Sequence, residues 1–276
     1  MMQMPEVRTA TMLLDHWPVR ALAATLGLDE STISANPVLP PLWHWLYFLA
    51  VTPRADTAVD GHAVDAAAAG HELPARRVFA SARLWIERPL RLGLPARQSE
   101  SVMATRQTQG KSGALRIVTS EYRYFQDDEL CVREERDIIY RQAAANPAAA
   151  AVPPAPAATE PLTVESSEEI TPDAVMLFRF SALTFNAHRI HYDQGFAQGR
   201  EGYRERVVHG PLVAILLGEL FRKRVGAAVR RFEFRAYRSM FVDEPIRLTA
   251  TTTADHTRLQ ALDPTGIMAM EAGVWC

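Results

Sequence analysis

An Ala/Pro segment, residues 143–159, divides the chain into two halves. It contains only alanine and proline apart from three residues, Asn146, Val152 and Thr159. Alanine alone would favour a helix, but the four prolines remove backbone donors and bias the residues before them towards extended conformations. This composition is typical of a semi-rigid linker. We therefore expect an N-terminal domain over residues 1–142 and a C-terminal domain over residues 160–276.

In the first half, a proline-initiated helix is predicted to precede a set of antiparallel strands. Pro18 suits the first helical position, and Gly27 suits the stop, of a short helix near Val19–Leu26. The apolar segment Pro40–Phe48 predicts a second, largely buried helix, and the Gly/Ala/His-rich stretch 52–74 predicts a loop. Apolar patterning and turn residues then predict four strands, Val78–Glu87, Gln98–Gln107, Ala114–Phe125 and Leu130–Tyr140.

The second half shows the same order of elements. A helix is predicted from Pro211 to about Arg224, with its apolar residues concentrated on one face. Four strands are predicted after it, at Arg231–Tyr237, Ile246–Ala254, Arg258–Leu262 and Ile267–Val274. The loop 88–93 of the first half and the loop 238–243 of the second both lie between two predicted strands. A duplicated helix-plus-sheet unit is the economical interpretation, with chance similarity of short loops as the alternative.

Composition and charge exclude several classes of protein. Apolar residues make up 48% of the chain and charged residues 22%, which argues against bulk disorder. A formal net charge of −2 is not that of a protein that wraps nucleic acid. Two cysteines, Cys131 and Cys276, exclude a disulfide framework and a Cys-rich metal site. Since we find neither a membrane-spanning apolar run nor a signal peptide, we expect a soluble cytoplasmic protein.

Three of the eight histidines lie close together in the second half. His188 and His191 belong to the string FSALTFNAHRIHYD, residues 180–193, and His209 belongs to VVHGPL, residues 207–212. Histidine titrates near neutral pH and is the usual general acid or base of enzymes. The cluster therefore predicts a catalytic site in the second half.

The two strings resemble the MaoC-like, or hydratase-2, hotdog family, in particular the branch of the fungal mitochondrial type 2 hydroxyacyl-thioester dehydratases. Bacterial mesaconyl-C4-CoA and itaconyl-CoA hydratases share this two-half layout, and segments 39–48 and 83–93 also resemble their first half. The resemblance implies an α+β double hotdog, two helix-wrapped antiparallel sheets in one chain, with a degenerate first half. It also implies a hydro-lyase that adds water to an α,β-unsaturated acyl-CoA where the halves meet, with no cofactor beyond the CoA of the substrate.

The catalytic motif departs from the general family pattern at two positions. Aligned without a gap, His191 takes the place of the family's catalytic histidine, and Asp193 that of the trailing acid. Asn186 stands where the family has its catalytic aspartate, and His188 where it has an asparagine. Asparagine cannot exchange a proton near neutral pH, although it forms hydrogen bonds. The fungal branch shares the form TFNAH, so the departure is also consistent with a feature of that branch.

The resemblance assigns provisional roles to these residues. We expect His191 to be the base that takes a proton from water, and Asn186 to orient that water or the thioester. The proton for the α-carbon would come back from His191 or pass through His188. Gly210 precedes the Pro211 helix, so its N–H would stabilise the enolate oxygen from the positive helix end; the alternative is that His209-Gly210-Pro211 is only a tight turn.

The acyl group is predicted less directly. Arg189 beside the catalytic histidine would offset a free carboxylate, which favours a C5 dicarboxylyl-CoA (itaconyl-CoA or mesaconyl-C4-CoA) and a role in itaconate degradation. Further substrate contacts are expected from Tyr192, Asp193, His209 and Arg83. Alternatives are a (3R)-hydroxyacyl-thioester dehydratase of fatty-acid synthesis, an acyl-CoA thioesterase and a non-catalytic acyl-CoA binding module. No metal is expected, because no further ligand completes a site with His188, His191 and Asp193; a homodimer is compatible with the fold.

Overall fold

A computed structural model describes residues 7–29, 37–64, 75–110, 113–142 and 164–276. The predicted linker, residues 143–159, lies outside the described residues, so the domain boundaries stay a prediction. The first half contributes strands β1 (Arg8–Leu13), β2 (Ala75–Ile86), β3 (Pro95–Gly110), β4 (Gly113–Gln126) and β5 (Glu129–Gln142). The second half contributes β6 (Ser166–Ile170), β7 (Arg231–Ala236), β8 (Ile246–Thr252), β9 (Thr257–Leu262) and β10 (Met268–Trp275).

These strands form one ten-stranded antiparallel sheet in the order β1-β3-β4-β5-β2-β7-β10-β9-β8-β6. Counted from each outer edge to the middle, the two halves have the same strand order. They meet at β2 and β7, which pair from Ser81 opposite Arg235 to Trp85 opposite Arg231. The repeated order is that of a duplicated unit, and with its helices the structure is the expected α+β double hotdog.

The predicted strands are confirmed, and two further strands, β1 and β6, were not predicted. The turn between β4 and β5 consists of Asp127 and Asp128, both with positive φ (52° and 60°). This left-handed conformation is typical of tight hairpin turns, in which Asp is well tolerated. The register of β4 on β5 is thus set by the turn as well as by the packed face.

Four α-helices accompany the sheet in the described residues: α1 (His16–Leu26), α2 (Ala174–Leu183), α3 (Gln194–Gly199) and α4 (Gly210–Arg224). Helix α1 ends at Gly27 as predicted, with φ 67°, but begins at His16, because the Asp15 side chain accepts a hydrogen bond from the Trp17 N–H at 2.7 Å. Pro18 is therefore the third helical residue, and its predicted place at the first position is wrong. No helix in the described residues is long and apolar enough to span a membrane.

The helix predicted over Pro40–Phe48 is wrong. Only Trp43–Leu46 forms a 3-10 helix, and Leu42 and Phe48, with φ 72° and 55°, are left-handed and interrupt an α-helix at each side. The predicted burial is confirmed, since Trp43 is fully buried and Trp45 nearly so. In chain order this segment corresponds to α4, and the described residues of the first half contain no helix as long as α4.

Helix α4 lies at the centre of the fold. It begins one residue before Pro211 and ends at Arg224 as predicted, and an unbroken run from Leu212 to Leu217 is buried. A helix that is apolar all round packs on every side. Its residues belong to one continuous core with Trp43 and Leu84 of the first half. The amino end of α4 is thereby fixed at the junction of the two halves.

Candidate active site

A cavity of about 1660 Å³ lies between the two halves. Its lining includes motif residues Asn186, His188 and His191 of the second half and loop and strand residues of the first half, among them His62 and Phe79. Aromatic and aliphatic side chains line one part of it, among them Trp45, Phe48, Phe79, Ile138 and Ile139. Six arginines also line it: Arg8, Arg54, Arg77, Arg136, Arg204 and Arg238. Such a site suits a ligand with an apolar part and several negative charges.

His191 is held in one defined orientation. It ends a 3-10 turn, and its Nδ1 lies 2.7 Å from the carbonyl oxygen of Val207. A carbonyl can only accept, so Nδ1–H donates and Nε2 keeps its lone pair. Burial lowers the pKa of His191 to about 3, although the Val207 hydrogen bond acts in the opposite direction. The imidazole is therefore neutral at neutral pH and is able to accept a proton.

His209 lies behind His191 and not at the cavity surface. The two rings stack with centroids 3.6 Å apart, and His209 Nε2 lies 2.8 Å from Ser181 Oγ. His209 is 1% exposed, and burial together with His191 lowers its pKa well below the usual range. This placement favours a supporting role for His209 over the substrate contact predicted from the sequence.

Asn186 and His188 lie beside His191 as the motif predicted. The Asn186 Oδ1 accepts a hydrogen bond from the His188 backbone N–H at 3.0 Å. The other polar group of the Asn186 side chain is its NH2 group, which is a hydrogen-bond donor. The His188 ring is perpendicular to that of His191, with centroids 5.5 Å apart. Burial, and then His62, lower the pKa of His188 to about 3, so this ring is also neutral.

Gly210 lies at the amino end of α4 and lines the cavity. The first N–H groups of a helix have no partner within the helix, and the helix dipole makes this end positive. A Cβ at this position would lie 3.8 Å from the Phe79 carbonyl oxygen, which is ordinary contact. The geometry is compatible with the predicted enolate-stabilising N–H, which stays a prediction.

Three of the predicted substrate-binding residues have structural partners. Arg189 pairs with Asp193 at 2.6 Å and lies over the Phe196 ring, and Asp193 also caps α3 by accepting from the Phe196 N–H at 2.9 Å. Arg83 on β2 pairs with Glu135 and Asp137 at 3.0 and 2.8 Å. Arg189, Asp193 and Arg83 are not among the described residues that line the cavity, whereas Tyr192 is.

Two functional candidates, Asp60 and His62, were not predicted from the sequence. They lie in the stretch 52–74, which was predicted only as a loop. His62 Nδ1 lies 3.0 Å from Asp60 Oδ2, and the His62 ring centroid is 4.1 Å from that of His188. An Asp-x-His pair in a loop was the available signal, but its position against the motif depends on how the halves pack.

Gly61 lets this loop approach the motif. Its φ is 92°, and a Cβ there would lie 1.9 Å from the carbonyl oxygen of Ala187. We expect Gly61→Ala to push the loop away and to lower turnover roughly tenfold to a hundredfold, because catalytic groups tolerate little displacement. Steady-state kinetics with circular dichroism would check this. Gly27→Ala is the control, since it has a similar φ of 67° but no atom within 4 Å of the new Cβ; equal losses in both variants would contradict the explanation.

The chain is similar to proteins of known class along most of its length. Residues 42–242 match the sequence pattern of the family described as hydroxyacyl-thioester dehydratase type 2. A mesaconyl-C(4)-CoA hydratase from Chloroflexus aurantiacus is 43% identical over 258 residues, which cover 92% of this chain and 89% of that protein. The mitochondrial hydroxyacyl-thioester dehydratase type 2 of Schizosaccharomyces pombe is 29% identical, over 88% and 89%. A MaoC-like dehydratase structure from Phytophthora capsici superposes with a TM-score of 0.70 at 14% identity, covering 99% of this chain and 95% of that one.

Proposed function

The chain belongs to the MaoC-like family of type 2 hydroxyacyl-thioester dehydratases and is a hydro-lyase, and from this premise we propose that it hydrates a C5 dicarboxylyl-CoA, with mesaconyl-C4-CoA as the first choice. The observation that carries the acyl group is the relative named for that substrate, which is 43% identical over nine-tenths of both chains. We propose no cofactor beyond the CoA of the substrate.

The reaction follows from the geometry around His191. Its Nε2 takes one proton from a water molecule as the water oxygen bonds to the β-carbon of the thioester. The electron pair of the double bond moves towards the carbonyl, and the Gly210 N–H stabilises the enolate oxygen that forms. Asn186, whose Oδ1 is already bonded to the His188 N–H, presents its NH2 group to the water or the thioester. The α-carbon then accepts a proton.

Recognition of the free carboxylate falls to a different arginine from the one that the sequence suggested. The charge of Arg189 is already offset by Asp193 at 2.6 Å. Arg238 lines the cavity, and its buried Nε has no hydrogen-bond partner among the described residues, with Asp263 3.7 Å from its Nη1. The ion pair of Arg238 with Asp263 is longer than the 2.6 Å pair of Arg189 with Asp193, so the charge of Arg238 is less fully offset and favours an anionic ligand. We assign the carboxylate contact to Arg238.

A second candidate is dehydration of a longer (3R)-hydroxyacyl thioester. The size of the cavity and its apolar lining, which includes Trp45, Phe79 and Ile138, favour it. The S. pombe relative named for this activity supports it as well. Longer acyl chains would lie against this apolar lining.

A panel of crotonyl-, itaconyl- and mesaconyl-C4-CoA tests the proposal by mass spectrometry of the products. We expect addition of one water to mesaconyl-C4-CoA at the highest turnover. Faster hydration of crotonyl-CoA, or of longer enoyl thioesters added to the panel, would favour the second candidate. Release of free CoA without hydration would identify a thioesterase and overturn the assignment.

A further inference from the structure

The catalytic motif lacks the carboxylate that would exchange protons, and the first half brings an Asp–His pair to that place. We propose that His62, oriented by Asp60, is a second catalytic residue that delivers the proton to the α-carbon. The inference rests on the proposed hydration reaction and adds to it a residue from the degenerate half. Asn186 forms hydrogen bonds but cannot supply this proton.

Asp60 fixes the His62 ring through two contacts. The His62 backbone N–H donates to Asp60 Oδ1 at 3.0 Å, and Nδ1 lies 3.0 Å from Oδ2. Burial alone would raise the pKa of Asp60, but the hydrogen bonds and charge of His62, with a contribution from His188, lower it to about 2. The carboxylate is therefore ionised, so that Nδ1–H donates to it. An ionised aspartate behind a histidine orients the ring and stabilises its imidazolium form, which is the proton donor in the proposed step.

The second ring nitrogen, Nε2, remains for the reaction. His62 lines the cavity, and its side chain is 18% exposed. Its ring centroid lies 4.1 Å from that of His188, which in turn lies 5.5 Å from that of His191. Three imidazoles thus extend from the first half across the cavity wall to the predicted base.

The loop that carries the pair is anchored to the catalytic motif. The Arg189 N–H donates to the Asp60 carbonyl at 2.8 Å, and Arg189 Nη1 donates to the Val59 carbonyl at 3.2 Å. Within the loop, the Ala58 N–H donates to the His62 carbonyl at 2.7 Å. Together with the close approach of Gly61 to Ala187, these bonds hold His62 in place on the second half. Preorganisation of this kind is what proton transfer to carbon requires.

The proton balance closes over one turnover. His191 Nε2 accepts one proton of water, the remaining hydroxide bonds to the β-carbon, and the π electron pair forms the new C–H bond at the α-carbon with the proton of the His62 Nε2–H. This step starts from the His62 imidazolium, whose Nδ1–H donates to Asp60 and whose Nε2–H is the proton donated, and it leaves His62 neutral and His191 protonated. Loss of the His191 proton to water and uptake of one proton from water by His62 Nε2 return both residues to their starting forms. No oxidant, reductant or further reactant is needed.

The test compares His62→Gln and Asp60→Asn with the same two types of substitution at a histidine and an aspartate outside the proposed pair. In the full-length protein with its best thioester from the panel, we expect His62→Gln to lower kcat by roughly 100-fold with KM changed by less than about threefold. Asp60→Asn should lower kcat by roughly tenfold. The controls are Asp56→Asn, an exposed residue of the same loop, and His256→Gln, which stacks on Trp275 away from the cavity; both should stay within about twofold.

Two readouts separate proton transfer from a structural role. Slow protonation of the α-carbon should raise the solvent deuterium isotope effect on kcat in His62→Gln. Added imidazole should restore part of the turnover of His62→Ala. Loss of turnover without either response would identify a structural residue and overturn the inference.

The remaining outcomes are distinct. If the wild-type protein hydrates its thioester and His62→Gln keeps full kcat, the inference fails and the proposed function stands. If the wild-type protein hydrates no member of the panel, both the inference and the proposed function fail.

Asp60, His62 and His188 also place three possible metal-ligand atoms within 4.8 Å of one another. Loss of wild-type activity with a chelator and its return with zinc would overturn the proton-transfer role in favour of a metal site.

Discussion

Replacement of His191 by glutamine is expected to lower hydration turnover by about 10³-fold, because general base catalysis by a positioned side chain contributes roughly 10² to 10⁴. Glutamine is close to histidine in size and carries an NH2 group that forms hydrogen bonds. It has no group that accepts a proton from water at neutral pH. The fold should persist, and kcat with KM on the preferred thioester measures the effect.

The pH dependence gives a second check on His191. Since burial lowers the pKa of this residue to about 3, the neutral base form is present at every pH above that value. Protonation of His191 should therefore not reduce the wild-type rate between pH 8 and about pH 5. Ser181→Ala is the control and should change the rate much less than His191→Gln, because it removes a hydroxyl that contacts the supporting ring of His209 and not His191 itself. A rate for His191→Gln within a few fold of wild type would move the base to another residue.

The sheet could be predicted from the sequence where strands bury one face. The eight predicted strands lie in the interior of the sheet, next to turns with Asp or Gly. The two that were missed, β1 and β6, are the outer edges of the sheet. Every residue of β1 is exposed, so its sequence RTATML carries no alternation of apolar and polar positions that burial would require. Edge pairing is decided by the neighbour, which a local pattern does not contain.

The Pro40–Phe48 segment shows a different limit of prediction from sequence. A short apolar run is compatible with a buried helix or with a buried irregular segment, and periodicity does not separate the two. Here His44 and Trp45 donate to Glu134, at 2.9 and 2.8 Å. That partner lies about 90 residues further along the chain. The conformation thus depends on a tertiary contact, while the burial could be inferred from composition alone.

The part of the candidate site that the second half of the chain contributes could be predicted from the sequence. The spacing within residues 180–193 placed His188 and His191 together, and in the structure both line the cavity. The pairing of Arg189 with Asp193 also had a local signal, since opposite charges four residues apart commonly pair. Asp60 and His62 had none of comparable strength, because their approach to His188 is created by the docking of one half on the other.

The first half therefore serves the site in two ways, through the Asp60–His62 loop and through a buried charge network beneath the apolar part of the cavity. Glu134 on β5 is fully buried and is contacted by four side chains, His44, Trp45, Tyr124 and Arg136. Arg136 itself lines the cavity. Partial loss of such a network is costly, because an apolar replacement of one partner alone would leave the other charge without compensation.

Glu134→Gln is accordingly expected to lower the free energy of unfolding by about 3–5 kcal/mol, because the fully buried Glu134 site loses its charge while the mostly buried Arg136, 22% exposed, loses its charged partner. Urea denaturation at pH 7, analysed at constant m, measures this difference. The matched control is Glu135→Gln on the adjacent position, whose side chain points to the opposite face of the strand and pairs with the partly exposed Arg83 and Arg133. Partly exposed pairs contribute about 1 kcal/mol or less, so this variant should lose little.

The pH dependence of that difference follows from the Glu134 pKa. Burial raises the pKa of the Glu134 carboxyl, but Arg136 and His44 outweigh burial and hold this pKa well below the usual range. A carboxyl whose folded-state pKa is depressed stabilises the protein above its unfolded pKa, about 4.3, and loses that contribution as the pH falls through the folded-state value. The difference between wild type and Glu134→Gln should therefore be constant from pH 6 to 8 and narrow below about pH 4. Equal losses of unfolding free energy in Glu134→Gln and Glu135→Gln would show that burial of the Glu134 charge does not determine how much this charge stabilises the protein.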